Sequence, residues 1–135
     1  MASTTKFWDI DDELLLQHFC LEDELKEVLK WFQDQGYERP EDADARMEMS
    51  NSLREKSNEH VKTSSFKDAM LYALAALHCL DFSQAKSTLL SSSQKLEMKA
   101  ATVRVLCNLS LIFVKRGDSH NSVRAANLGL EFASK

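Results

Sequence analysis

Leu53, Ser57, Val61 and Lys62 recur fifty-three residues later as Leu106, Ser110, Val114 and Lys115. The same offset carries Ala73 onto Ala126 and Leu77 onto Leu130. It also sets small residues on small ones, Ala69 on Ser122 and Ala76 on Gly129. Steps of four hold these positions on one side of a helix. Small residues at matched positions let two antiparallel helices approach closely. A repeated helix pair cannot bury its apolar side alone, so it stacks on its copy.

Turn chemistry agrees. The 135 residues include three glycines and one proline. A sheet needs many tight turns, and tight turns want those residues. The expected fold is therefore all-α. Helices are expected over residues 9–35, 41–63, 66–80, 96–116 and 119–133. In the first of these, Leu14, Leu15, Phe19, Leu25, Val28, Leu29 and Phe32 keep helical spacing, and Gly36 ends it. YERPEDAD (37–44) reads as a turn, with Pro40 near a first helical position. Ser64 and Ser65 form a hinge. Residues 81–95 hold serines at 83, 87, 91, 92 and 93, which lower helix propensity and suggest a loop or a frayed extension. The fourth helix places Val103, Leu106, Cys107, Leu109, Ile112, Phe113 and Val114 on its apolar side and stops at Gly117. The fifth does the same with Val123, Ala126, Leu128, Leu130 and Phe132.

Charge divides the chain. Residues 1–49 hold fourteen acidic and five basic residues, a net of −9; residues 50–135 hold seven and twelve, a net of +5. A basic half suits an acidic ligand, for which the acidic half would compete or against which it would pack. The longest apolar run, LSLIFV, is too short to span a bilayer. The first residues, MASTTKFWDIDDE, lack a signal peptide's basic start and apolar core. Cys20, Cys79 and Cys107 are odd in number and unclustered, as reduced thiols of the cytosol or nucleus are.

The repeat resembles the tetratricopeptide family. That family places a small residue at its eighth position, an aromatic near the eleventh, and small residues near the twentieth and twenty-seventh. Those positions are Ser57, His60, Ala69 and Ala76 in the first unit, and Ser110, Phe113, Ser122 and Gly129 in the second. NLSLIFVKRGD (108–118) and SFKDAMLYALAAL (65–77) are similar to family phrases. Ser57 stands where glycine is usual, His60 replaces an aromatic, Ser119 stands where Tyr or Phe is usual, and no proline ends either unit. The family period is 34 residues, so a period of 53 implies an insertion of about nineteen, roughly 81–99. The resemblance implies a stack of antiparallel helix pairs over residues 50–135, joined to an acidic N-terminal helical segment, 1–49.

Co-chaperones of this family bind acidic C-terminal tails, Glu-Glu-Val-Asp, of heat-shock chaperones through a two-carboxylate clamp. The resemblance assigns its first cation and asparagine to Arg54 and Asn58, four residues apart, and its next asparagine to Asn108. Asparagine amides and a guanidinium are strong donors to a carboxylate. Two further cations belong to a third unit, for which residues up to Lys135 offer no counterpart. Lys62 and Lys115 would add positive potential.

The expected function is thus protein–protein interaction, with a peptide or partner helix in the groove and no catalytic role. No cofactor, metal, nucleic-acid or membrane role is expected. His18 with Cys20, and His78 with Cys79, lack paired metal-ligand spacing. Cys107 has no nucleophile signature around it. Two alternatives stand beside this reading. One is a self-associating helical module using apolar surface near Trp8, Trp31 and Phe32. The other is a non-catalytic accessory domain of a larger enzyme.

Overall fold

A computed structural model describes residues 27, 30, 31, 34, 35, 42–80 and 91–134. Among these, four helices pack on one another: α1 (Ala43–Lys62), α2 (Phe66–Cys79), α3 (Ser92–Lys115) and α4 (Ser119–Ala133). No described residue is in a strand. Glu27, Lys30, Trp31, Asp34 and Gln35 are also helical. The remainder of the expected 9–35 helix, the Pro40 turn and residues 81–90 lie outside the described residues.

Three of the four helices start on a side-chain cap. The Asp42 carboxylate caps α1 by accepting from the Ala45 N–H at 2.9 Å, and Asp44 lies in the first turn, where the helix dipole favours an acid. Asp118 caps α4 by accepting from the Asn121 N–H at 3.1 Å. α3 begins at Ser92, four residues before the expected start. Ser91 Oγ accepts from the Gln94 N–H, and the Gln94 side chain accepts from the Ser91 N–H, both at 3.0 Å. This capping box turns the serine run into a start signal. Its first four residues, 92–95, therefore belong to a helix, where the sequence suggested a loop or frayed extension.

α2 is the central helix. From Ala69 to Leu80 all its residues but Tyr72 are buried. It packs on α1 and on α3; α3 packs in turn on α4 and on α1. The core fills with Leu53, Met70, Leu74, Leu77, Leu106, Leu109, Ile112 and Phe113, each 2% exposed or less. Each such side chain contributes about 2 kcal/mol by leaving water. Arg46 is buried as well.

The fifty-three-residue echo is visible in hydrogen bonds. Ser57 Oγ of α1 donates to the Ala69 carbonyl of α2 at 2.7 Å. Its counterpart, Ser110 Oγ of α3, donates to the Ser122 carbonyl of α4 at 3.0 Å. Ser122 Oγ returns a bond to the Ser110 carbonyl at 2.9 Å. Such short links between helices require small residues where the backbones approach.

The two connecting turns are also copies. Ser64 has φ 61° and Gly117, its counterpart, φ 79°. The Ser65 N–H donates to the His60 carbonyl at 2.8 Å, and the Asp118 N–H to the Phe113 carbonyl at 2.8 Å. Both turns end a helix through a left-handed residue, where glycine is unstrained and serine is not.

The expected apolar stripes of the last two helices differ from those observed. Cys107, Val114, Val123, Ala126 and Leu130 are exposed, and only Leu128 of the α4 set is buried. The neighbours explain it. α4 packs on α3 along one side, and that side carries Asn121, Ser122, Ala125, Leu128 and Gly129. Gly129 sits where a Cβ would come within 3.6 Å of Leu106 Cβ.

Candidate functional site

Arg54, Asn58 and Lys62 follow one another at steps of four along α1 and so share a face. Asn108 lies on α3, the helix that packs beside α1. Fifty residues separate Asn58 from Asn108, yet Asn108 Nδ2 donates to Asn58 Oδ1 at 3.3 Å. Both side chains are half-buried. The contact uses one N–H of Asn108 and the Asn58 amide oxygen, and leaves the Asn58 amide N–H groups outside it.

Arg54 is half-buried one turn before Asn58. Its Nε is buried and has no hydrogen-bond partner. A buried donor without an acceptor costs about 1–3 kcal/mol, so it marks a place where an acceptor would be welcome. Lys62 and Lys115 are exposed in the last turns of α1 and α3. They add positive charge without touching the asparagine pair.

Sequence reasoning missed Arg104. It is exposed on α3, four residues before Asn108, as Arg54 stands four before Asn58. The signal was present in the sequence as Arg-x-x-x-Asn, found at 54–58 and again at 104–108. The Asn58 and Asn108 amides, with the Arg54 guanidinium one turn before Asn58 and Arg104 one turn before Asn108, are donors of the kind an anionic group accepts from.

The N-terminal residues contribute elsewhere. Trp31 meets the Tyr72 ring edge-on, with centroids 4.8 Å apart. His60 stacks on Tyr72 at 5.1 Å, and Lys56 Nζ lies 5.9 Å from the Tyr72 centroid. Glu27 accepts from Lys67 Nζ at 3.2 Å, an exposed pair worth well under about 1 kcal/mol. Trp31 is turned inward as packing, and Trp8 and Phe32 lie outside the described residues.

Other candidates are dispersed. His78 and Cys79 are buried in α2, and Cys107 is an exposed free thiol. Among the described residues, no three His, Cys, Asp or Glu side chains gather as metal ligands would. A shallow hollow of about 310 Å³ lies over Ala45, Glu48, Met49, Ser52 and Leu53, away from the asparagine pair. No helix among the described residues is long and apolar enough to cross a membrane. No family model, curated protein or solved structure matches the chain.

Proposed function

We propose that this chain is a non-catalytic interaction module, a two-unit tetratricopeptide-like stack, whose α1–α3 groove takes the acidic C-terminus of a partner protein in the cytosol or nucleus. The observation that carries this reading is the meeting of Asn58 and Asn108 beside the unpartnered Nε of Arg54. A terminal carboxylate has two oxygens, each able to accept more than one bond. The Asn58 and Asn108 amides with the Arg54 guanidinium supply donors of the right kind. Arg104, Lys62 and Lys115 attract an acidic tail from a distance, and the net charge of +5 over residues 50–135 supports the same sign.

The fold supports the stack. Ser57 with Ala69 and Ser110 with Ser122 make the same inter-helix bond at the same offset. The order in which the helices pack, α1 on α2, then α3 on α2 and α1, then α4 on α3, is that of two successive pairs in one array.

The test is a fluorescence-anisotropy titration of the full chain with a labelled peptide ending in Glu-Glu-Val-Asp. The free-acid peptide binds, and binding weakens as salt rises. The same peptide with an amidated C-terminus loses at least about tenfold in affinity, because one charge-assisted contact set is gone. Equal affinity for the amidated peptide would refute carboxylate recognition.

A further inference from the structure

The internal repeat provides its own control for which surfaces are meant to be covered. In the first unit, Met70, Ala73 and Leu77 are at most 1% exposed, in the helix on which α3 packs. The second unit's counterparts are Val123, Ala126 and Leu130. Val123 is 58% and Leu130 69% exposed, and Ala126 is exposed between them. The same positions are core in one unit and bare in the next. Val114 and Leu111 of α3 are exposed as well, at 57% and 50%.

We propose that a second copy of this chain covers this face, with the two α4 helices antiparallel about a two-fold axis near Ala126 and Asn127. Val123 lies three residues before Ala126 and Leu130 four after it. An antiparallel pairing centred there sets Val123 against Leu130 of the other copy at both ends. Ala126 at the centre lets the helices approach closely, as Ser57 and Ser110 do within each unit. The charges agree with the same register. Arg124 and Glu131, both exposed, flank the stripe on one side, one before its centre and one after it. The two-fold brings Arg124 of each copy toward Glu131 of the other. A self-complementary patch of this kind needs no second partner surface. The α4 stripe of Val123, Ala126 and Leu130 shares no residue with Arg54, Asn58 and Asn108, so the proposal stands independently of the peptide reading.

Sedimentation velocity and light scattering on the full chain over a concentration series test it. The mass rises from one copy to two as concentration approaches about 100 µM, a modest affinity suited to a small patch. Leu130→Glu weakens association by about 100-fold or more, since each dimer loses two buried leucines. Residue 130 is exposed, so the helical circular-dichroism spectrum stays that of the parent. Arg124→Glu alone and Glu131→Arg alone weaken the dimer, and the double exchange restores it. A wild-type chain that stays monomeric at about 500 µM overturns the proposal. So does a dimer that survives Leu130→Glu, or one abolished by Trp31→Ala with Leu130→Glu silent. Failure of the charge exchange to restore association overturns the antiparallel register.

Discussion

Ser57 is the position where the packing of the first unit can be tested most sharply. Its side chain is completely buried, and its Oγ lies 2.7 Å from the Ala69 carbonyl oxygen. Ser57→Ala removes that bond but leaves the Ala69 carbonyl within its own helix, so the expected loss is about 1 kcal/mol. Ser57→Leu is a different perturbation. A carbon placed where Oγ now sits wants about 3.3 Å or more from that oxygen, so α1 and α2 must part by about 0.6 Å. Two further methyl groups then enter a site with no free volume. Overpacking of this kind costs about 1–3 kcal/mol beyond the lost bond, for a total near 3 kcal/mol. Urea unfolding followed by circular dichroism measures both variants against the parent, with the slope held constant. The order expected is parent, then alanine, then leucine, with the last two separated by about 2 kcal/mol. A leucine variant as stable as the alanine variant would refute the claim that small residues set the helix approach.

Other outcomes follow from the turns, the asparagine pair and the aromatic cluster. Ser64 holds φ 61° and Gly117 φ 79° at equivalent places. Ser64→Gly therefore stabilises the chain by about 0.5–1 kcal/mol and Gly117→Ala destabilises it by about 1–2, both read by thermal unfolding. Asn108→Ala loses a long 3.3 Å bond, which costs under about 1 kcal/mol of stability, yet it lowers acidic-peptide affinity at least about tenfold. A loss confined to stability, measured by calorimetric titration and urea together, would make Asn108 only an inter-helix tie. Trp31→Ala removes the edge-on contact with Tyr72 and costs about 2 kcal/mol in chemical unfolding. A silent Trp31 variant would mean that this ring adds nothing to the stack.

Much of the helix layout was legible because its signals are local. The start after Asp118, the stop at Gly117 and the small residues at 57, 69, 110 and 122 each follow from the chemistry of one or two side chains. The start of α3 was misplaced because serines were weighed by propensity alone. Ser91 and Gln94 form a reciprocal cap, and that pairing outweighs the average. The exposure of Val114, Val123 and Leu130 was not legible, since an apolar stripe shows which residues seek cover and not which neighbour provides it. Buried Arg46 was hidden for the same reason.

The candidate site was legible only in part. Nothing local in the sequence brings residues 58 and 108 together. Their encounter depends on α3 packing beside α1, which the repeat offset suggests and composition does not. Arg104 was overlooked because the family pattern drew attention to single positions rather than to the doubled Arg-x-x-x-Asn. Trp31 was legible as an apolar side chain seeking cover, but its partner, Tyr72, is a long-range contact.

The unequal cover of α2 and α4 sets the direction in which the molecule opens. α2 lies between α1 and α3, whereas among the described residues α4 packs chiefly on α3 and shows Val123 and Leu130 to water. In a nearest-neighbour array, the outer element opens without breaking the inner contacts, at a free energy below that of global unfolding. In dilute solution, amide protons of α4 should therefore exchange with deuterium well before those of α2. As concentration rises and copies pair through α4, that difference should shrink. A protection map along the chain would then report self-association from within the backbone.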